Sequence, residues 1–341
     1  MRIAINGYGR IGRCVLRAWC ERRAAGDSSM SNIDIVALNE LAAREAVAYL
    51  TRYDSTHGRF PGEVELDGNK LLVNGFTIEV LRESSFASLP WAKLGIDFVL
   101  ECSGTISTFD SAQVHLHAGA RSVLLSNPGD TSVPALVYGV NHLQAAGKSG
   151  GIWSAASCTS NALIPVLSVL HDAFHVESGV VTTIHAAMHD QPVIDAFYSD
   201  DLRRNRAASE SMIPVATALA SGVDRVLPAL RGKIAAHALR IPVTDVSALN
   251  VTLGCKASPT VIDVNAVLAA TASSGPLHGV LGYTEEPVAS CDFTHDAHSC
   301  VVDGLQTLIA ADGDCVNVLL WFDNEWAFAN RMLDLASYLD G

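Results

Sequence analysis

The chain has 341 residues, of which 49% are hydrophobic and 17% are charged, and its formal net charge is −13. This length exceeds the usual size of a single core, so we expect two globular domains. The acidic balance argues against nucleic acid or an anionic membrane as a partner. No apolar run approaches the ~20 residues that span a bilayer, which leaves a small molecule as the expected ligand.

The eight cysteines are scattered along the chain, without a repeated close spacing and without a signal peptide before them. This usage is typical of reduced thiols. We therefore expect a cytoplasmic protein without a disulfide framework.

The N-terminal segment has the pattern of a dinucleotide-binding turn. Residues 1–5 form a short apolar strand, the glycine-rich residues 6–13 follow directly, and helical spacing continues to Trp19. In this pattern one glycine allows the tight turn, one lets the backbone approach a pyrophosphate, and one lets the helix pack on the strand. A simple glycine turn is the alternative, but the flanking strand and helix favour cofactor binding. The candidate cofactor contacts here are Gly7, Gly9, Arg10, Ile11 and Gly12.

A second predicted strand, residues 33–40, ends in a carboxylate. Glu40 lies farther from the last glycine than is usual, and the polar stretch 26–31 accounts for the surplus. A carboxylate at this place accepts hydrogen bonds from the adenosine ribose and repels a 2′-phosphate, so the pattern favours NAD over NADP. The nearby Arg44 leaves NADP open, and a solvated glutamate at a strand end is the alternative.

Two further runs, residues 96–104 and 122–128, are almost continuously apolar and end in small or turn residues. Such runs are typical of parallel strands that helices cover on both faces, and residues 112–119 can supply a helix between them. The sequence thus predicts a doubly wound domain, with Gly104 and Ser126 at strand ends near the cofactor.

The segment around Cys158 is the expected centre of the chemistry. Small residues from Ser154 onward lead into the apolar run 162–170, which predicts a buried helix that starts close to Cys158. The partial positive charge and the unpaired N–H groups of a helix N-terminus favour the thiolate, which is the nucleophilic form. Taken by itself, the local pattern also fits a small buried cysteine.

Longer strands follow at residues 179–185, 236–242 and 247–253, and they predict a mixed or antiparallel sheet in a second domain. His185 ends the first of them, one helix and one strand after Cys158, so the two side chains are able to meet. An imidazole there would pair with the thiolate and accept a proton from a hemithioacetal hydroxyl. A structural histidine is the alternative.

A basic cluster interrupts this acidic protein at Arg203, Arg204 and Arg206. Arginines this close together hold a phosphate through several charge-assisted hydrogen bonds, so we expect phosphate binding. A solvated charged face is the alternative.

No metal site is expected. His185 and His189 are four residues apart beside a strand rather than along a helix, and the ligand types in residues 295–300 lack a distant partner set with zinc spacing. Near the C-terminus, residues 316–322 predict a strand. Asn324, just before the last helix, either caps that helix or reaches a nicotinamide amide.

Together these motifs resemble one family, the phosphorylated-aldehyde dehydrogenases typified by glyceraldehyde-3-phosphate dehydrogenase. The resemblance covers essentially the whole chain. It implies an α/β fold with an N-terminal Rossmann-type doubly wound NAD-binding domain, residues 1–157, and an α+β catalytic domain with a mixed or antiparallel sheet, residues 158–324. The last helix, residues 325–341, is implied to return to the first domain. The segments that carry the resemblance are residues 6–13, 53–58, 156–161, 182–185, 201–208, 240–242 and 323–326.

The resemblance also implies roles for particular residues. Cys158 is the implied nucleophile and His185 its base, while Glu40 and Asn324 are implied to contact NAD. The family forms homotetramers in which a loop, here about residues 187–210, packs against a neighbouring cofactor site. The implied phosphate or anion contacts are Ser157, Thr159, Arg204, Thr217 and Arg240.

Three departures separate the chain from the glycolytic branch of this family. Ala162 stands where a second cysteine is common, Met188 where a threonine binds the substrate phosphate, and Glu40 where aspartate is usual. Residues 186–191 and 295–299 resemble instead the D-erythrose-4-phosphate dehydrogenases, whose product feeds pyridoxal phosphate synthesis.

We therefore expect NAD-dependent oxidation of D-erythrose 4-phosphate to 4-phosphoerythronate through a thioester on Cys158. The alternative within the family is the phosphorylating glyceraldehyde-3-phosphate dehydrogenase of glycolysis. The alternative from another class is an NAD-binding regulator without turnover, and the presence of both Cys158 and His185 counts against it.

Overall fold

The computed structural model of the protein describes residues 1–147, 150–310 and 313–340. The chain divides into two compact units: the first contains Met1–Ser157 and the residues from Phe328 onward, and the second contains Cys158–Ala327. The α-helices within the described residues are α1 (Arg10–Ala24), α2 (Arg44–Arg52), α3 (Trp91–Leu94), α4 (Phe109–His117), α5 (Cys158–Phe174), α6 (Leu219–Val226), α7 (Val261–Ser273) and α8 (Trp326–Asp340).

The first unit is built on a large sheet. The strands of this unit are β1 (Arg2–Asn6), β2 (Asp34–Asn39), β3 (Tyr53–Asp54), β4 (Gly58–Arg59), β5 (Val64–Asp67), β6 (Lys70–Val73), β7 (Phe76–Leu81), β8 (Phe98–Glu101), β9 (Ser122–Leu125) and β10 (Gly151–Ser154). In the described part of the chain the sheet has the order β10-β9-β8-β1-β2-β7-β6-β5, while β3 and β4 pair separately.

The strands from β10 to β7 in that order are all parallel. Strands β1, β8 and β9 are buried along almost their whole length, as apolar strands covered on both faces are. The predicted Rossmann-type doubly wound fold is confirmed. Because neighbouring strands run in the same direction, the carboxyl ends of β9, β8, β1 and β2 lie along one edge of the sheet.

The second unit is built on a mixed sheet, as predicted. Its strands are β11 (Val176–His185), β12 (Ile213–Val215), β13 (Ile234–Arg240), β14 (Ser247–Cys255), β15 (Leu281–Thr284), β16 (Cys300–Ile309) and β17 (Cys315–Phe322), and their order is β12-β13-β11-β14-β17-β16-β15. Strand β11 pairs in parallel with β13 and antiparallel with β14. In the parallel pair His185 lies opposite Arg240, so the two residues end neighbouring strands at the same level.

The sequence patterns miss several strands, namely β3, β4, β5, β6, β7, β10, β12, β15 and β16. Most of these are short. The long strand β16 shifts register against β17 between Asp303 and Leu308, which interrupts the alternation that would have revealed it.

The last helix, α8, begins at Trp326, and Asp323 rather than Asn324 caps it. Oδ1 of Asp323 accepts hydrogen bonds from the backbone N–H groups of Glu325 at 2.9 Å and Trp326 at 2.7 Å. A carboxylate is a good cap because it satisfies backbone donors that have no partner within the helix.

From Phe328 onward α8 belongs to the first unit. There Nη2 of Arg22 lies 2.8 Å from Oδ1 of Asp334, and Oγ of Ser337 donates to the carbonyl oxygen of Ser29 at 3.1 Å. Within the described residues, none of the helices combines the length and the apolar character that crossing a membrane requires.

Candidate active site

Cys158 is the first residue of α5, and it follows a strained turn. Ala156, two residues earlier, is buried and has φ of +59°, in the left-handed region that alanine seldom adopts. Oγ of Ser154 accepts a hydrogen bond from the backbone N–H of Ala156 at 2.9 Å and donates one to the carbonyl oxygen of Asn127 at 2.6 Å. These bonds hold the turn that precedes the thiol.

The structure brings the predicted thiol and imidazole together. Sγ of Cys158 lies 3.8 Å from Nε2 of His185 and 3.8 Å from Oγ1 of Thr159. Nδ1 of His185 lies 2.8 Å from the carbonyl oxygen of Ala186. Because a carbonyl only accepts, Nδ1 carries the proton that it donates, and Nε2 of a neutral ring is then an acceptor facing the sulfur.

The environment of this pair favours the thiolate and the imidazolium. Burial is the largest influence on the pKa of Cys158 and raises it. The hydrogen bond and charge of His185, together with hydrogen bonds from Thr159, outweigh burial and lower that pKa below its ordinary value. Burial likewise lowers the pKa of His185. The hydrogen bond and charge of Cys158 and the hydrogen bond with Ala186 outweigh it, so the pKa of His185 is raised.

A buried hydroxyl links the residue after His185 to Asn324. Oγ of Ser247 accepts a hydrogen bond from the backbone N–H of Ala186 at 3.0 Å and donates to Oδ1 of Asn324 at 2.7 Å. Ser247 and Asn324 are both buried. Since Oδ1 of Asn324 is an acceptor in this bond, the amide is oriented with Nδ2 as its remaining donor.

Two of the predicted phosphate arginines are joined by one carboxylate. Asp190 accepts a hydrogen bond from Nη1 of Arg204 on Oδ2 at 3.0 Å and one from Nη1 of Arg240 on Oδ1. Nη2 of Arg240 donates to Sδ of Met188 at 3.2 Å. Both terminal nitrogens of Arg240 are therefore in contact with the segment that follows His185.

Two of the clustered arginines, Arg204 and Arg206, have different ion-pair partners. Nε of Arg206 forms an exposed ion pair with Asp195 at 3.0 Å, whereas Arg204 lies with Asp190 and Asp201. Arg204 and Arg206 thus pair with different carboxylates, and joint phosphate binding by Arg203, Arg204 and Arg206 stays a prediction.

The other predicted anion contacts lie around the same helix start and in the loop before α6. Ser157 and Thr159 flank Cys158 in the chain, and both are partly buried. Thr217 is exposed, and its Oγ1 accepts a hydrogen bond from the backbone N–H of Leu219 at 3.2 Å, at the start of α6.

The glycine-rich turn in the first unit has the shape that a dinucleotide requires. Gly7 has φ of +90°, and a Cβ built on it would lie 2.4 Å from the backbone nitrogen of Ser103. A Cβ on Gly12 would lie 2.3 Å from the carbonyl oxygen of Gly7, whereas a Cβ on Gly9 would meet nothing within 4 Å. The space over Gly9 lies at the N-terminus of α1, where a pyrophosphate would accept backbone hydrogen bonds.

The remaining predicted cofactor residues follow the same edge of the sheet. Glu40 follows β2, and its carboxylate accepts backbone hydrogen bonds from Tyr8 at 3.0 Å and Ala42 at 3.1 Å. Gly104 lies after β8 with φ of +74°, and Ser126 follows β9. The glycine-rich turn, Glu40, Gly104 and Ser126 therefore fit one NAD-binding edge.

Arg10 and Ile11 open α1. The guanidinium of Arg10 pairs with Asp54, and Asp54 also accepts backbone hydrogen bonds from Thr56 at 2.9 Å and His57 at 3.0 Å. Burial raises the pKa of Asp54, but the hydrogen bonds with His57 and Arg10 outweigh it and lower that pKa to about 2. Arg10 is thus held beside the turn by a carboxylate that stays ionised.

Sequence reasoning missed two residues of this site, Ser247 and Asp190. A single serine at a strand start gives no local signal, because its partners lie far away in the chain. Asp190 did carry a weak signal, since it lies between His189 and Gln191 in a segment singled out for its departures.

Comparison with protein families finds two matches. Residues 1–109 match the family model described as glyceraldehyde 3-phosphate dehydrogenase, NAD binding domain. Residues 157–324 match the model described as glyceraldehyde 3-phosphate dehydrogenase, C-terminal domain. The two matches fall in the first and second units respectively, with only residue 157 outside the second.

Proposed function

Because the chain belongs to the glyceraldehyde 3-phosphate dehydrogenase family and carries its NAD-binding domain, we propose that it oxidises D-erythrose 4-phosphate to 4-phosphoerythronate. Membership of the family makes the protein an oxidoreductase that uses NAD. We propose two further points: which aldehyde is oxidised, and that water rather than inorganic phosphate releases the product.

In this reaction the thiolate of Cys158 attacks the aldehyde carbon and forms a C–S bond. Nε2 of His185, 3.8 Å from the sulfur, then accepts the proton of the resulting hydroxyl. Bound NAD would supply the acceptor for the hydride that leaves that carbon. The product is a thioester on Cys158, and His185 releases the proton to solvent. The neutral imidazole then accepts a proton from a water molecule as that water attacks the thioester carbonyl. The C–S bond breaks, the carboxylic acid leaves, and the thiolate returns.

The observation that carries the choice of substrate is the contact of Met188 with Arg240. In the family resemblance, the position three residues past the catalytic histidine is a threonine that binds the substrate phosphate. In this chain that position is Met188, and its thioether sulfur Sδ lies 3.2 Å from Nη2 of Arg240. A three-carbon substrate loses one hydrogen bond to a charged group, worth ~1.5–3 kcal/mol. In a substrate that is one carbon longer, the phosphate lies farther from the carbon that is bonded to Cys158. We propose that Arg240 and groups beside the bound cofactor hold the phosphate there.

The second candidate is phosphorylating oxidation of glyceraldehyde 3-phosphate. It is favoured by the presence of Ser157, Thr159, Arg204 and Thr217, the residues implied to bind inorganic phosphate.

Rates for both aldehydes, each with and without inorganic phosphate, separate the two candidates. We expect a higher kcat/KM for D-erythrose 4-phosphate and turnover without phosphate. Faster oxidation of glyceraldehyde 3-phosphate that strictly requires phosphate would instead establish the glycolytic reaction.

A regulator that binds NAD without turnover has little support. Mere binding does not need a thiol whose pKa is lowered by a histidine 3.8 Å away. Absence of turnover with every phosphorylated aldehyde tested would nevertheless favour this class.

We also propose a homotetramer in the cytoplasm. Residues 186–212, here called the β11–β12 loop, expose large apolar side chains that a partner subunit would cover. Apart from Met188, these are Val193, Ile194, Phe197, Tyr198, Leu202 and Met212. All eight cysteines lie among the described residues and are free thiols, which supports a reducing compartment.

A further inference from the structure

We propose that Asp190 is a specificity-determining residue that disfavours free inorganic phosphate in this site, so that water takes the acyl group. The inference rests on the proposed function. Arg204 and Arg240, here called the anion site, already share the negative charge of Asp190 before any ligand binds.

The geometry places Asp190 between the two arginines that phosphate would need. Each of its carboxylate oxygens accepts from Nη1 of one arginine, Oδ2 from Arg204 at 3.0 Å and Oδ1 from Arg240. The side chain of Arg240 is only 6% exposed, while that of Asp190 is 29% exposed. The carboxylate thus bridges a buried cation and a partly exposed one.

This bridge lowers the charge that an incoming anion meets. Asp190 offsets positive charge that the two guanidinium groups share, and Asp201, whose Oδ2 lies 3.5 Å from Nε of Arg204, offsets more of it. Carboxylates and phosphates are recognised by the same donors of arginine, so phosphate competes with Asp190 for them. Met188 also engages Nη2 of Arg240, so both terminal nitrogens of that arginine already have partners.

The organic substrate tolerates this weakening better than inorganic phosphate does. Once its carbon is bonded to Cys158, its own phosphate is held near the arginines at a high effective concentration. Inorganic phosphate must bind from solution with no other anchor. A partly neutralised pair of arginines therefore penalises the free anion more than the tethered one, and water attacks the thioester instead.

The test compares phosphate affinity among variants of the full chain with NAD added. Asp190→Asn removes the charge with little change of shape, and Asp190→Ser removes it with a second side chain. Asp190→Glu keeps the charge. Asp195→Asn, in the same loop, makes the same change in net charge at an exposed ion pair with Arg206.

Isothermal titration with inorganic phosphate, and separately with sulfate, gives the affinities. We expect roughly tenfold tighter binding in Asp190→Asn and Asp190→Ser. Asp190→Glu and Asp195→Asn should remain close to the unmodified protein. If both neutral variants bind these anions no more tightly, or more weakly, Asp190 only holds the arginines in place and the proposal is wrong.

A second readout follows the product. In Asp190→Asn a phosphate oxygen should attack the thioester carbonyl, the C–S bond should break, and an acyl phosphate should appear beside the acid. Titration does not depend on which aldehyde is the substrate, so it judges Asp190 even if the proposed substrate fails. An unmodified protein that requires phosphate for turnover would overturn the proposed function, and tight phosphate binding by that same protein would overturn the role of Asp190.

Discussion

The pKa of the Cys158 thiol is lowered, whereas the pKa values of other buried thiols are raised, because His185 lies beside Cys158. Burial raises the pKa of Cys20 to about 12 and that of Cys255 to about 11, and it also raises the pKa of Cys102. Burial acts on Cys158 in the same direction, but His185 reverses the outcome. A thiol of lowered pKa is a thiolate over a wider range of pH, so its reactivity should begin at a lower pH.

We therefore predict that Cys158 is alkylated selectively near neutral pH. The rate of its reaction with iodoacetamide should rise with pH through a midpoint below the ~8.5 of a free cysteine. His185→Gln removes the hydrogen bond and the charge, so the midpoint should move upward. Peptide mapping at several pH values measures this, with the exposed Cys291 as an internal reference. Loss of activity while Cys158 remains unmodified would contradict the assignment.

At Glu40 we predict the preference for NAD over NADP. Its carboxylate, held by the backbone of Tyr8 and Ala42, would lie against a 2′-phosphate, and the ribose hydroxyl would lose its acceptor. The expected difference in kcat/KM is on the order of a hundredfold. Glu40→Ala should reduce the difference in kcat/KM between NAD and NADP. Glu45 is an exposed glutamate in the first turn of α2, and Glu45→Ala should leave that difference unchanged. Equal use of both cofactors by the unmodified protein would refute this role.

Among the elements, the strands β11 and β14 are joined at the site by Ser247. Its hydroxyl fixes both the backbone that follows His185 and the amide of Asn324. We predict that Ser247→Ala raises the KM for NAD and lowers kcat, because two buried groups lose a partner, at ~1–3 kcal/mol for each. Steady-state kinetics measure the effect.

Ser273→Ala is the matched control for this change. Its hydroxyl donates to the carbonyl oxygen of Ala269 near the end of α7, on an exposed part of the helix. It should change neither constant. A Ser247→Ala variant with an unchanged KM for NAD and an unchanged kcat would show that Asn324 is positioned by other means.

The elements that the sequence predicted are those with strong local patterns. Continuous apolar runs predicted β8 and β9, and the glycine pattern predicted the turn from β1 to α1, because burial and tight turns restrict residue types locally. The hairpin of β5 and β6 was missed although Gly68, with φ of +58°, forms its turn. Its strands have four residues each, too few to establish a period.

The sequence predicted only those site residues that have a recognisable local sequence pattern. A cysteine before an apolar helix and a histidine at a strand end carry such signals, and the structure brings them together. The bridge of Asp190 to Arg204 and Arg240 joins two residues of the β11–β12 loop to the last residue of β13, so no local spacing encodes it. Proximity in the chain likewise does not give Arg204 and Arg206 a shared partner, since each pairs with a different carboxylate.

For the whole molecule we predict that the β11–β12 loop holds the assembly together. Phe197 is fully exposed in the single chain, a costly place for a large apolar ring. Phe197→Asp should convert the proposed tetramer to smaller species, as measured by size-exclusion chromatography with light scattering. Ile262→Asp, at an exposed position of α7, should not. A tetramer that survives the change at Phe197 would place the interface elsewhere.

Because α8 belongs mostly to the first unit, the second unit can complete its folding before the first one does while the chain is synthesised on a ribosome. The first unit starts to emerge first. It lacks the buried Met332 and Leu333, and Asp334, one of the two carboxylates that pair with Arg22, until the whole second unit has been made. Domains usually complete folding in the order of synthesis. Here the unit with the nucleophile is complete while the cofactor-binding unit still exposes the apolar surface that α8 will cover. A nascent chain halted before Phe328 should therefore be captured by chaperones through its N-terminal half, although its catalytic half is already protected from proteases.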